Sequence, residues 1–264
     1  MSPPAPSPPS SSARPAGRTR PARDRARGQA REARRAAYRD LVLQAAGDAF
    51  ARQGVPNTKM EDLASEAGLS LGTLYSVYRG KAEIVDALHE ARLREIHAAS
   101  VAAEEAEAEP LDALLAGSRA YVRYFIEHPD YLRMYIDEGS NWGVRGSMGR
   151  ESGRAAVWEQ GVAQLAAIVA RGIEAGVFEP GRPDALARMM LAMQQVQLAD
   201  WLAEGMTRAP EDVIAEVEGL IRRALCTPEA RARGEARGMA DEVADAPRTS
   251  GASSVRRPST RRTT

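Results

Sequence analysis

The sequence feature that most constrains the fold is a pair of short helical patterns separated by a turn that contains glycine. The first pattern, 58–67, places apolar residues at helical spacing and ends at Gly68. The second pattern, 71–78, follows Ser70, whose hydroxyl can cap a helix. Two short helices joined in this way predict a helix-turn-helix motif, whose second helix enters the major groove of DNA.

A longer helical pattern precedes this motif. Apolar residues recur at three- and four-residue intervals over 33–53, and Gly54 is expected to end that helix. Thr58 and Glu61 have the spacing of a capping box, in which the threonine hydroxyl accepts from the backbone N–H of Glu61 and the glutamate reaches back. Together with Lys59, this helix N-terminus also favours a phosphate group.

The motif carries a family resemblance. Residues 67–75 read Ala-Gly-Leu-Ser-Leu-Gly-Thr-Leu-Tyr, and Lys81 follows six residues after Tyr75. The segment 39–81 resembles, without gaps, the N-terminal DNA-binding domain of the TetR family of regulators. It departs from the family pattern at Val77-Tyr78, where an aromatic pair is usual. The resemblance implies an all-α protein with an N-terminal helix-turn-helix domain and a helical ligand-binding and dimerisation domain.

The N-terminal end of the second motif helix is expected to face the bases. Gly72 lets the backbone approach the duplex closely, and Thr73 can bond a base edge or touch a thymine methyl group. The resemblance places Tyr75 and Lys81 against phosphates, and Arg35 is a hypothetical minor-groove contact. The predicted DNA-binding residues are Arg35, Thr58, Lys59, Ser70, Leu71, Gly72, Thr73, Tyr75, Ser76 and Lys81.

Aromatic residues concentrate in the second half of the helical body, where seven lie between Tyr121 and Trp158. Aromatic and methionine side chains can line an adaptable apolar cavity, although an ordinary helical core accounts equally well for any single one. Few cations lie in these segments, so a small apolar or weakly polar effector is expected. The predicted ligand-binding residues are Tyr121, Tyr124, Phe125, Tyr135, Trp142, Trp158, Met190 and Gln194.

The last two predicted helices, 183–203 and 210–225, resemble the pair through which family members dimerise. The resemblance implies a homodimer on a palindromic double-stranded operator, with half-sites about one DNA turn apart or a multiple of it. The residues expected to form this mainly apolar interface and the core beneath it are Met189, Met190, Met193, Val196, Gln197, Trp201, Val213, Val217, Leu220 and Ile221.

Charge is distributed unevenly although the formal net charge is zero. Residues 1–37 hold nine Arg against Asp24 and Glu32. Both ends are rich in Pro, Ser, Ala and Arg and are expected to lack structure. Whether these basic tails contact DNA is left open. The predicted domains are a basic tail over 1–32, a helix-turn-helix domain over 33–101, a ligand-binding and dimerisation domain over 105–226 and a second basic tail over 227–264.

Composition excludes several other classes of protein. The single cysteine, Cys226, rules out an intramolecular disulfide and a cysteine-based zinc finger, and no apolar run is long enough to span a membrane. His89 and His97 stand eight residues apart without a carboxylate cluster, so neither a metal site nor a cofactor is expected. No apolar secretory signal is recognisable, which favours a soluble, cytoplasmic protein.

Two other functions stay open at this point. The chain could be a helical ligand-binding or adaptor protein without operator binding. It could also be a small helical enzyme that uses the glycine-rich loop 139–153, although no nucleophile–base pair stands out. The acidic run 104–109 is interpreted as a solvated helix face. The resemblance favours a ligand-responsive repressor that is not an enzyme.

Overall fold

The computed structural model describes residues 20–137 and 153–234, and these are almost entirely helical. In the described segments the only β-pairing is an isolated bridge between Phe178 and Cys226, so the predicted all-α class is confirmed. The helices are α1 (Arg20–Asn57), α2 (Met60–Glu66), α3 (Leu71–Val77), α4 (Lys81–Glu105), α5 (Pro110–Glu127), α6 (Pro129–Asp137), α7 (Gly153–Glu174), α8 (Pro183–Ala203) and α9 (Pro210–Leu225).

Helix α1 begins earlier than the apolar pattern predicts. It starts at Arg20, so 20–32 is helical, and the prediction of a structureless tail up to residue 32 is wrong for this part. The segment is rich in Ala and Arg, which are strong helix formers, but it has no apolar stripe that a periodicity argument could detect. Beyond α9, residues 228–234 are also helical, so the prediction of a structureless tail from 227 is wrong for this segment. The hydroxyl of Thr227 accepts from the backbone N–H of Ala230 at 3.3 Å.

The junction between α1 and α2 is built differently from the predicted capping box. Gly54 has φ +77° and breaks the helical path of α1, as predicted. The hydroxyl of Thr58, however, donates to the Gly54 carbonyl at 2.8 Å. It therefore caps the end of α1 and not the start of α2. Lys59 is the N-cap residue of α2, and its backbone N–H donates to the carboxylate of Asp62 at 3.0 Å. The box therefore lies one residue later than expected.

Helices α1 to α3 enclose a small apolar core. Leu63 of α2 and Leu74 of α3 are fully buried, together with Val42 of α1. Gly68 takes φ +65° in the turn between α2 and α3, a conformation that glycine adopts without steric cost. This arrangement is the predicted helix-turn-helix, with α3 packed against both α1 and α2.

Helix α4 joins this region to the rest of the chain. It runs to Glu105, four residues beyond the predicted end at 101, because the added residues are alanine and glutamate. It packs against α1 near its start and against α5 and α7 further along. Helix α6 also contacts α1, and α8 and α9 pack on α5. Among the described helices, none is both long and apolar enough to cross a membrane.

Candidate nucleic-acid interface and ligand cavity

Helix α3 turns one face into the core and presents the other to solvent. Leu74 and Val77 are buried, whereas Tyr75 is 49% exposed and Ser76 is exposed beside it. Because about half of the Tyr75 side chain stays in solvent, it contributes little buried surface to the stability of the fold. The exposed face is therefore available to another molecule.

The first turn of α3 is held by hydroxyl groups. The Ser70 Oγ accepts from the backbone N–H of Thr73 at 3.1 Å, which confirms the predicted cap, and it lies 2.8 Å from the Thr73 Oγ1. The Ser76 hydroxyl donates to the Thr73 carbonyl at 2.6 Å. Leu71 is half-buried, and Gly72 is exposed, with only the Ser70 Oγ within 4.0 Å of a Cβ built there. The fold does not require glycine at position 72, which leaves the backbone open to close approach.

Lys81 is used inside the protein. Its Nζ donates to the carbonyl oxygens of Val55, Pro56 and Thr58 at 2.6, 3.1 and 2.9 Å. An ammonium group has three donors, so these bonds occupy all of them. The positive charge also lies at the end of α1, where carbonyl groups lack helical partners. Lys81 thus fixes the start of α4 to the α1–α2 junction, instead of pointing outward to the predicted phosphate.

The other predicted DNA contacts divide by exposure. Thr58 is only 1% exposed and its hydroxyl is bonded within the fold, so it is not available to a phosphate as predicted. Lys59, at the start of α2, and Arg35, on α1, are both exposed. Arg39 lies over the ring of Tyr78, with its Cζ 4.8 Å from the ring centroid, and Tyr78 is buried.

A cavity lies among α4, α5, α7 and α8, with a volume of about 60 Å³. Its walls are mainly apolar and include Leu93 and Ile96 of α4 and Val162 and Leu165 of α7. Lys and Arg are absent from the described residues that line it. Such a cavity suits a molecule with an apolar body.

The predicted ligand residues separate into several locations. The cavity is lined by four of them, Tyr121, Trp158, Met190 and Gln194. Phe125 and Tyr135 instead border a groove among α5, α6 and α8, which Tyr121 also lines. The Tyr124 hydroxyl donates to the carboxylate of Glu95 at 2.5 Å, away from the cavity. Trp142 and the loop residues 139–152 lie outside the described residues.

Neutral polar groups face the cavity from several helices. Gln194 is 0% exposed, and neither its amide nitrogen nor its amide oxygen has a hydrogen-bond partner within the described segments. The same holds for the Ser118 hydroxyl, in a residue 2% exposed, and for the Nε2 of His97. Buried polar groups of this kind are normally hydrogen-bonded, so they mark where a ligand or water would bind.

Glu104 is a cavity residue that the sequence analysis missed. The acidic run predicts a solvated helix face, but Glu104 is only 7% exposed, and burial raises the pKa of its carboxyl group. The Gln164 Nε2 donates to its Oε2 at 3.4 Å. A side chain at position 117 would collide with this carboxylate, so Gly117 of α5 makes the space it occupies. No local signal distinguishes Glu104 from its acidic neighbours.

An exposed apolar strip runs along α8. Met189 and Val196 are 58% and 57% exposed, and they stand seven residues apart on the same helical face. Met193 and Gln197 are half-buried, as is Leu220 of α9. Part of the predicted dimer surface instead belongs to the chain's own core, namely Met190, Trp201, Val213, Val217 and Ile221.

The exposed recognition helix, held on a small three-helix core, defines a helix-turn-helix protein of the DNA-binding class. Residues 42–88 match the family described as bacterial regulatory proteins, tetR family. The TetR family transcriptional regulator PfmR from Thermus thermophilus is 30% identical, with a TM-score of 0.55 over 69% of this chain and 97% of that chain. The chain belongs to the TetR family, as its sequence predicted.

The chain is also similar to other regulators. The HTH-type transcriptional regulator TtgR of Pseudomonas putida is 35% identical over 80 residues, which are 29% of this chain. The chain spans only 37% of the length of that relative. The transcriptional regulator FadR from Bacillus subtilis, solved in complex with stearoyl-CoA, has 16% identity and a TM-score of 0.59, covering 69% of this chain and 96% of that chain. This last likeness concerns the fold alone.

Proposed function

We propose that the chain is a ligand-responsive transcriptional repressor that binds operator DNA through α3. One observation carries the proposal: α3 is fixed in the core by Leu74 and Val77 while Gly72, Tyr75 and Ser76 face solvent. A major groove is wide enough to admit such a helix. Because α3 has no Asn, Gln, Lys or Arg, base readout is expected to rely on hydroxyl and apolar contacts and on DNA shape.

The operator is expected to be a palindrome read by a homodimer. The strip formed by Met189 and Val196 supports this, since a second copy of the chain would remove both side chains from water. A two-fold dimer repeats the recognition helix, and its half-sites lie about 34 Å apart or a multiple of that distance. A protein that acts on the bacterial chromosome in this way works in the cytoplasm.

The effector is proposed to act by widening the cavity. An apolar cavity of about 150 Å³ binds benzene, and this one measures about 60 Å³. A bound ligand must therefore displace its walls, and Met190 is the most adaptable of them. Helix α4 contributes Leu93 and Ile96 to those walls, while its first residue, Lys81, is bonded to the α1–α2 junction. A shift of α4 would then change how the two copies of α3 are spaced.

The effector is a small molecule with an apolar body. Stearoyl-CoA, the ligand of FadR from Bacillus subtilis, is large and anionic. The cavity of this chain is small, and its described lining offers no Lys or Arg to an anion. The effector therefore differs in chemical class from that ligand.

Selection from random duplex DNA at near-physiological salt tests operator binding. We expect the wild-type protein to enrich a palindrome and Tyr75→Ala to lose that enrichment. Gln160→Ala changes an exposed residue of α7, far along the chain from α3, and is the matched control that should enrich the same sequence. If the wild type enriches nothing and binds only in a salt-sensitive way, the arginine-rich start of α1 is the binder and the proposal is wrong.

A further inference from the structure

We infer that the effector carries one basic nitrogen, which binds the carboxylate of Glu104 while its apolar body occupies the cavity. This inference rests on the proposed ligand response and names the chemical class of the ligand. Four observations lead to it: the position of Glu104, the missing counterion, the character of the remaining lining and the buried polar groups without partners.

Glu104 stands at the boundary between the cavity and the outside. It lines the cavity, and together with Gln164 it also lines a solvent-facing depression that includes Glu105, Glu107 and Arg171. The carboxylate is nevertheless 7% exposed, since Gly117 leaves room for it against α5. A ligand that enters from this side would pass acidic groups first and could leave its head group beside Glu104.

No Lys or Arg of the described segments forms an ion pair with this carboxylate. The charge of Arg171, which lines the outer depression, lowers the pKa of Glu104, but burial has the larger effect and raises it. In the described part of the chain Glu104 forms no ion pair, and its one side-chain partner is the neutral amide of Gln164 at 3.4 Å. Burial of an unpaired carboxylate is costly, and the group then either takes up a proton or finds a counterion. A protonated amine would supply that counterion and form a charge-assisted hydrogen bond.

The rest of the lining excludes an anionic head group and accepts a neutral body. Lys and Arg are absent from the described walls, so a carboxylate or phosphate would face Glu104 without any compensating charge. The amide of Gln194 and the hydroxyl of Ser118 are buried without partners, and each can bond one polar substituent of a ligand. The ligand class is therefore an apolar amine with few other polar groups.

The test compares n-hexylamine, n-hexanol and hexanoate, which have six carbons each and carry different head groups. Binding to the full-length wild-type chain is measured at neutral pH by titration calorimetry and by tryptophan fluorescence, since Trp158 lines the cavity. We expect hexylamine to bind about tenfold or more tightly than hexanol, and hexanoate to bind most weakly.

The variant Glu104→Gln keeps the shape of the side chain and removes its charge. It should lose about tenfold or more of the hexylamine affinity, bind hexanol as before and bind hexanoate more tightly. Glu174→Gln removes the charge of an exposed glutamate of α7 that lines neither the cavity nor the depression, and it should behave like the wild type. If Glu104→Gln does not fold, the head-group order of the wild type alone decides the question.

The outcomes separate this inference from the function on which it rests. A wild-type order that favours hexanoate, or an amine preference that survives Glu104→Gln, overturns the amine assignment alone. If none of the three probes binds, the ligand site itself is refuted, and the amine assignment fails with it. Operator binding is measured independently by the DNA selection and is unaffected by either result.

Discussion

Replacing Lys81 by methionine removes the ammonium group and keeps a side chain of similar length. The substitution breaks three hydrogen bonds, to the carbonyls of Val55, Pro56 and Thr58 at 2.6, 3.1 and 2.9 Å. A hydrogen bond to a charged group contributes about 1.5–3 kcal/mol when well shielded, but this site is only partly buried and water can replace part of the loss. We therefore expect the free energy of unfolding to fall by about 2–3 kcal/mol in total.

Urea unfolding followed by circular dichroism measures this change. Lys59→Met is the matched control, because Lys59 is the only other lysine of the chain and is exposed. It should change the unfolding free energy by no more than about 0.5 kcal/mol. In operator binding we expect the larger effect from Lys59. Lys59→Met should lower the slope of log affinity against log salt concentration by about one, and Lys81→Met should leave that slope unchanged.

The two roles considered for Lys81, a bond within the fold and a contact with a DNA phosphate, predict opposite results in these measurements. If Lys81→Met unfolds at the wild-type urea concentration and reduces the salt slope by about one, the ammonium binds a phosphate. The description of Lys81 as a bond between α1 and α4 would then be wrong, and with it the route from the cavity to α3.

Two further substitutions test packing and assembly. Gly172→Ala places a Cβ against the buried ring of Phe178 and should lower the unfolding free energy by about 2 kcal/mol or more, whereas Gly28→Ala, where a Cβ meets nothing within 4 Å, should not lower it. Equal stability of the two variants in urea would contradict this packing. Val196→Glu adds a charge to the α8 strip and should yield a folded monomer in sedimentation experiments, while Gln160→Glu should stay dimeric. A Val196→Glu protein that sediments as a dimer would place the interface elsewhere.

Features with local causes were predictable from the sequence. Helix α3 is the clearest case, since Ser70 caps it and Leu74 and Val77 mark its buried face within a few residues. The all-α class and the family follow from the same kind of local pattern and are confirmed. The predicted break at Gly54 also has a local origin, because few residues other than glycine adopt its positive φ.

Features that depend on distant parts of the chain were not predictable. The partners of Lys81 lie more than 20 residues earlier, and only the folded arrangement of α1 and α4 brings them together. Glu104 is one of several acids in an acidic run, and what distinguishes it is the space left by Gly117 on another helix. Thr58 serves the end of α1 rather than the predicted start of α2, because a threonine hydroxyl can either accept from an N–H at a helix start or donate to a carbonyl at a helix end, and the sequence does not distinguish the two.

The early start of α1 has a consequence for how the helix opens. Residues 24–37 are exposed apart from the half-buried Ala26, so no packing stabilises that stretch, and its helicity rests on intrinsic propensity. From Val42 onward one face of the same helix is buried in the core. Its backbone amides are therefore expected to exchange with solvent deuterium in two groups. The amides of the N-terminal half exchange rapidly through local opening, and those of the C-terminal half exchange only when the protein unfolds. Up to the break at Gly54 the backbone of α1 is one continuous helix, but its two halves differ in stability.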